Sequence, residues 1–204
     1  LWKQKDMSLR QWQFTSDSLK DLQQQLIKNN LYLNILFGDA IEIFKFLKDK
    51  YNFDSVISEQ ETGIKWTFER DKKLKSFFLQ NDIHWIECTY KGVKRGHHDR
   101  NQWVKFCIKD IIRYPNIPVI KQSINLGLKN YDLPKIFYDT TPCPNRQKGG
   151  SREAEKLLST FLNSRGENYQ YEMSSPISAE KSCSRLSTHL TYGTISHRSV
   201  FQEA

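Results

Sequence analysis

The hydroxyl-bearing residues of this chain crowd into Tyr171 to Arg198, YEMSSPISAEKSCSRLSTHLTYGTISHR, where Ser174, Ser175, Ser178, Ser182, Ser184, Ser187 and Thr188 surround Arg185. Clustered hydroxyls and unpaired backbone N–H groups at a helix start suit an anion, because the helix dipole and free amides favour phosphate there. The same residue types also cap Ser-rich helix starts with no ligand present. A second chemically distinctive stretch is basic: residues 91–113 hold Lys91, Lys94, Arg95, Arg100, Lys105, Lys109 and Arg113 against Asp99 and Asp110 only. With Trp103 it suits nucleic acid, since Lys and Arg release phosphate counterions and an indole stacks on bases. It equally suits an amphipathic helix over 102–112 that turns Trp103, Phe106 and Ile111 to a core and its lysines to water. Cys88, Cys107, Cys143 and Cys183 form no CxxC pair, and His97-His98 has no third ligand at metal spacing. Neither a metal site nor a disulfide framework is expected, and reduced thiols fit a cytoplasmic protein.

The elements that must position these residues begin with a helix capped by Ser8 and running to about Asn29, on which Leu9, Trp12, Phe14, Leu19, Leu22 and Leu26 recur at near-helical spacing. Leu31 to Phe37 is short and apolar and predicts a strand; Asp39 then caps a helix carrying Ile41, Ile43, Phe44, Phe46 and Leu47. Phe53 to Ser58 predicts a second strand, Thr62 to Asn81 a third helix and Ile83 to Ile86 a third strand. Strands alternating with helices are the mark of βαβ crossovers and a parallel sheet. After Cys88 the alternation stops. Five prolines between Tyr114 and Gly150 break helices and suit an extended connector. Helix resumes over Ser151 to Leu162, with Ala154, Leu157, Leu158 and Phe161 on one side, and again over Ser184 to Tyr192 and Ser196 to Gln202. The expected organisation is an α/β, parallel-sheet, Rossmann-like domain over 1–113, a connector over 114–149 and the opening of an all-helical domain over 150–204. Because the sheet opens with a helix and no initiator Met is present, its first strand is expected to be missing. The helical domain is likewise expected to be incomplete.

Composition narrows the class further. The chain has 204 residues, 31 Lys plus Arg against 23 Asp plus Glu, and a net charge of +8. At 38% apolar and 13% aromatic residues it is too apolar to be disordered, and it has no long uncharged apolar run to span a bilayer. No export signal is visible in Leu1-Trp2-Lys3-Gln4-Lys5-Asp6.

Cys183-Ser184-Arg185-Leu186-Ser187, followed by Leu190, Gly193, Ser196 and Arg198, resembles the SRLSPYLxxGxxSxR signature of the photolyase and cryptochrome flavoproteins. Further similarities keep the family order: Trp2-Lys3-Gln4 through Arg10-Gln11-Trp12-Gln13-Phe14, the turn Gly38-Asp39-Ala40, and Gly149-Gly150-Ser151-Arg152-Glu153-Ala154 at the start of the helical part. The resemblance implies an N-terminal α/β domain, a long connector and a helical domain holding a U-shaped FAD. It implies that the Cys183–Ser187 segment binds the FAD phosphates and that Tyr171 also touches the cofactor. Arg185 is alternatively a fold residue held in an internal ion pair.

The chain also departs from the family pattern. Cys183 stands where Thr or Ala is more frequent and Thr188 where Pro is; neither change removes backbone phosphate donors. Ser175 occupies the place at which many repair enzymes carry Arg, as in a bacterial cryptochrome-like branch. Near the family's folate-contacting Glu this chain has Thr67, with Glu69 displaced, so no folate is expected and the antenna chromophore is unknown. Gly63 and Trp66 either flank a different antenna or pack. The resulting expectation is an FAD-dependent, light-driven DNA photolyase, monomeric and acting on damaged DNA. A cryptochrome-type blue-light photoreceptor and a non-flavin nucleotide-binding α/β domain are the alternatives. No catalytic residue is assigned.

Overall fold

The first two helices of this chain start where a side chain serves the first turn. At Ser8, the Gln11 Oε1 atom accepts the backbone N–H at 2.7 Å and the hydroxyl at 2.9 Å, and helix α1 (Leu9–Lys28) follows. Asp39 receives the N–H groups of Ile41 at 2.9 Å and Glu42 at 3.3 Å to start α2 (Ala40–Tyr51). Asn52, with φ 44°, ends α2 in the left-handed conformation that asparagine tolerates. The computed structural model describes residues 4–5, 7–89, 95, 99–115, 119–127, 141 and 143–204. Trp2, Lys3, Lys91, Lys94 and His97-His98, and residues 116–118, 128–140 and 142 of the expected connector, lie outside them.

Strand β1 (Ser55–Glu59), helix α3 (Lys65–Gln80) and strand β2 (His84–Cys88) form a βαβ unit, with helix α4 (Arg100–Ile111) after it. The two strands pair in parallel, from Ser55 opposite His84 to Glu59 opposite Cys88. The α/β parallel-sheet class read from the alternation is therefore what the chain adopts. One face of the sheet carries the core, because Val56 and Trp85 point to the side on which α2 and α3 present Phe44, Leu74 and Phe78. Phe78, 2% exposed, is its centre: the Phe44 ring meets it edge-on at 4.9 Å and the Trp85 ring at 5.3 Å. At the carboxyl ends of the strands Arg95 ties the unit together. It reaches Asp71 Oδ2 at 2.8 Å, Glu87 Oε1 at 3.1 Å and the Glu61 carbonyl at 2.5 Å.

Two expectations are corrected. Leu31 to Phe37 joins no strand ladder among the described residues. Its polar groups go to a facing irregular segment: Tyr32 N–H donates to Ser123 Oγ at 2.6 Å, the Asn34 amide to the Ile124 carbonyl at 3.0 Å, and Leu126 N–H to Asn34 Oδ1 at 3.2 Å. On α4, Trp103 is not turned into a core; half of its surface is exposed, as are Val104 and Ile108.

The chain divides into two compact units, one containing Ile35–Asp110 and the other joining α1 to the C-terminal helices. These helices are α5 (Ser151–Thr160), a π-helical turn (Phe161–Arg165), α6 (Tyr169–Glu172), α7 (Ala179–Ser182), α8 (Ser187–Tyr192) and α9 (His197–Glu203). Their core is Ala154, Leu158, Leu186 and Ile195, packed on by Leu157, Leu190 and Val200. Helix α1 completes this unit. Phe14, 2% exposed, places its ring 5.0 Å from that of His189 and 5.1 Å from that of Tyr192.

One face of α1 also supplies the amino-terminal cap that α5 lacks in its own sequence. Asp21 Oδ2 accepts the Ser151 N–H at 2.9 Å and hydroxyl at 3.0 Å, Ser18 Oγ accepts the Gly150 N–H at 3.1 Å, and Asp17 Oδ2 accepts the Gly149 N–H at 3.3 Å. Backbone approaches helix so closely that a Cβ on Gly149 would lie 2.1 Å from the Phe14 carbonyl oxygen. Gly150 adopts φ 109°, a conformation open in practice to glycine alone.

Candidate functional site

The residues singled out as phosphate ligands lie on the turn between α7 and α8. Cys183 ends α7, its free thiol half-buried. Arg185 then takes φ 64°, a left-handed conformation that costs a side-chain-bearing residue roughly 1–2 kcal/mol. Leu186 returns to the right-handed region with φ −85° and ψ −11°, and its side chain, 3% exposed, anchors the turn in the core. Ser187 opens α8 on the surface.

A left-handed residue followed by a right-handed one aims successive N–H groups into one concavity, the geometry of an anion-binding nest. The hydrogen bonding of the turn reinforces this. Its carbonyls point inward: Cys183 C=O accepts from Arg165 Nη1 at 2.6 Å, Ser184 C=O from Arg165 Nη2 at 3.4 Å, and Arg185 C=O from Gln147 Nε2 at 2.6 Å. Gln147 also accepts the Thr188 hydroxyl at 3.2 Å. Among the described residues the N–H groups of Arg185, Ser187 and Thr188 have no acceptor. The first hydrogen bond of α8 is Leu190 N–H to Leu186 C=O. Amides without acceptors, beside the Ser184 and Ser187 hydroxyls, are what a phosphate needs.

The structure brings Ser184, Arg185, Leu186 and Ser187 into this one turn, with Cys183 at its start. Tyr171 stands apart on α6 and is 86% exposed. Arg185 contributes through its backbone; among the described residues it forms no ion pair. Ser175 starts the turn into α7, its carbonyl accepting the Ala179 N–H at 2.8 Å. Glu172 accepts the hydroxyl of the buried Ser182 and so ties α6 to α7.

Three residues that no sequence motif marked complete the arrangement: Arg165, Gln147 and His189. His189 is fully buried beneath the turn, and its Nδ1 pairs with Thr194 Oγ1 at 2.8 Å. Burial pushes the imidazole pKa below its ordinary value, against a smaller opposing pull from the Glu153 carboxylate. In the other unit Thr67 is buried with its hydroxyl on the Ile64 carbonyl at 2.7 Å, whereas Trp66 is 43% exposed. Among the described residues no group of His, Cys, Asp and Glu gathers as metal ligands, and no helix is long and apolar enough to cross a membrane.

The described residues thus form an α/β βαβ unit and a helical unit with a left-handed turn at Arg185. Residues 2–93 match the family model of DNA photolyase. Among curated proteins none matches the chain. Two solved structures share its fold. A bacterial class III photolyase from Agrobacterium tumefaciens is 19% identical, with a TM-score of 0.72 over 98% of this chain and 45% of its own. An archaeal photolyase from Sulfolobus tokodaii, solved with two FAD molecules, is 25% identical, with a TM-score of 0.72 over 96% of this chain and 44% of its own. The chain thus spans less than half the length of either.

Proposed function

We propose that the protein is an FAD-dependent, photolyase-like flavoprotein that repairs pyrimidine dimers in DNA. The observation that carries this reading is the DNA photolyase match over residues 2–93. The nest at Ser184–Ser187 supports it independently, as its donor set of amides and hydroxyls fits the diphosphate of FAD. FAD in its reduced form, when bound and excited by light, would supply an electron to the dimer and take it back after the ring bonds break. The chain's own part is to bind and orient. The N–H groups of Arg185, Ser187 and Thr188, with the hydroxyls of Ser184 and Ser187, hold the phosphates; Leu186 fixes the turn to the core; Tyr171 offers an exposed ring to the cofactor. The +8 charge favours approach to DNA.

Replacing Ser184 and Ser187 together by alanine lowers FAD affinity by about 1–3 kcal/mol if each hydroxyl makes a charge-assisted bond. Unchanged titration with an intact circular dichroism spectrum refutes the phosphate assignment. Ser175, standing where many repair members carry Arg, favours a second reading, a cryptochrome-type photoreceptor. Competition binding and illuminated turnover with FAD-loaded protein on dimer-containing oligonucleotides separate the two. A repair enzyme prefers the damaged strand, because a distorted base pair costs less to flip, and restores it under blue light. Flavin that is photoreducible without lesion preference or turnover identifies the receptor, and a protein that takes up no flavin identifies a nucleotide-binding domain of another kind.

A further inference from the structure

Arg165 ends the π-helical turn after α5, and four of the five hydrogen bonds of its guanidinium go to the main chain. Nη1 donates to the carbonyls of Cys183 at 2.6 Å and Lys181 at 3.4 Å; Nη2 donates to those of Leu157 at 2.8 Å and Ser184 at 3.4 Å; Nε donates to Thr160 Oγ1 at 3.0 Å. Two of these partners, Leu157 and Thr160, belong to α5; the other three lead into the α7–α8 turn. Among the described residues Arg165 pairs with no carboxylate, so its charge faces carbonyl dipoles and the Thr160 hydroxyl. The π turn sets this up. One residue of register is about 100° around an α-helix, so the wider turn decides the side from which Arg165 leaves.

We propose that Arg165 is the positioning residue of the phosphate turn: by drawing the Cys183 and Ser184 carbonyls inward it leaves the N–H groups of Arg185, Ser187 and Thr188 facing an incoming diphosphate. The proposal rests on the reading of that turn as the FAD phosphate site. Only a planar fork with five donors serves α5 and the turn at once; a lysine ammonium in its place keeps the charge but not the fan of bonds. Arg165 acts through the backbone, so charge alone does not replace it.

The test is amide-resolved NMR titration of the whole chain with ADP, in the wild type, Arg165→Lys and Arg165→Gln. In the wild type, ADP shifts the amides of Ser184 to Thr188. Both variants weaken ADP by tenfold or more and speed hydrogen exchange at Arg185 to Thr188, while the core amides of Ala154 and Leu158 stay unmoved. Recovery of wild-type affinity in Arg165→Lys overturns the positioning role and makes Arg165 a direct charge contact. Wild-type affinity in both variants overturns it as well. Should Arg165→Gln fail to fold, Arg165→Lys decides on the same criteria. Absence of any shift at Ser184–Thr188 in the wild type removes the phosphate reading itself, and with it the role of Arg165.

Discussion

Gly149 is where the helical unit tolerates least change, and Gly149→Ala puts that tightness to a quantitative test. The added methyl would meet the Phe14 carbonyl oxygen at 2.1 Å and Ser18 Oγ at 2.3 Å, far inside van der Waals contact. Neither partner can retreat freely. The Phe14 carbonyl belongs to α1 and accepts the Ser18 hydroxyl at 2.8 Å, and that same hydroxyl oxygen holds the Gly150 N–H at 3.1 Å. The turn must therefore lift off the helix. Overpacking of this kind costs about 1–3 kcal/mol, and losing the Gly149 and Gly150 amide bonds adds about 1 kcal/mol each. A total of about 3–5 kcal/mol lowers the melting temperature by about 6–20 °C in a domain of this size. Gln147, two residues upstream, grips the Arg185 carbonyl at 2.6 Å, so the lift also disturbs the anion nest and weakens ADP binding. Thermal melts followed by circular dichroism, paired with ADP titration, measure both effects. A Gly149→Ala protein that melts within about 2 °C of the wild type refutes the close packing of the turn on α1.

Two further predictions concern charge. Arg95→Met leaves Asp71, whose side chain is 6% exposed, with Arg70 alone at 2.7 Å, and strips Glu87 of its partner; urea denaturation should show a loss of about 1–3 kcal/mol, and an unchanged midpoint removes Arg95 from the support of the α/β unit. His189, held neutral by burial with its pKa lowered from 6.5, binds fewer protons folded than unfolded, so stability is complete above about pH 6.5 and declines as pH falls from there to the folded value. Melting temperatures from pH 7.5 to 5 should show this decline, and His189→Gln should flatten it; equal slopes in the two proteins eliminate His189 as its source.

Much of the fold was legible because its signals are local. Asp39 two residues before Ile41 is a cap whatever else the chain does, and the period of Phe44, Leu74 and Phe78 on helices flanking Val56 and Trp85 is what a parallel sheet with one covered face demands. Leu31 to Phe37 misled for the same reason. Its apolar run satisfies every local criterion for a strand, yet ladder formation depends on what lies alongside. What lies there is the Ser123–Leu126 segment, reached through side chains from about 90 residues away. Trp103 shows the limit of periodicity: the pattern marks an apolar stripe on α4 but cannot say whether anything covers it.

The nest divides along the same line between local and distant. That Ser184 and Ser187 could offer hydroxyls to an anion was readable from their types, but the helix expected over Ser184 to Tyr192 starts only at Ser187, with Arg185 in a left-handed turn before it. What the turn does with Arg185 was not readable, because a left-handed arginine has no propensity signal; it is stable only if its neighbours hold it there. Those neighbours are Gln147, 38 residues upstream on the Arg185 carbonyl, and Arg165, 18 residues upstream on the Cys183 carbonyl. Both act on oxygen atoms of the main chain, which every residue type carries, so no choice of residue at 183–185 announces them. A phosphate turn of this design is thus specified twice, locally by small hydroxyl residues that leave room for the ligand, and remotely by side chains that turn the carbonyls away. The second specification carries the strain of Arg185, and for that reason Arg165 and Gln147 are the positions at which changes alter the turn without touching any residue of it.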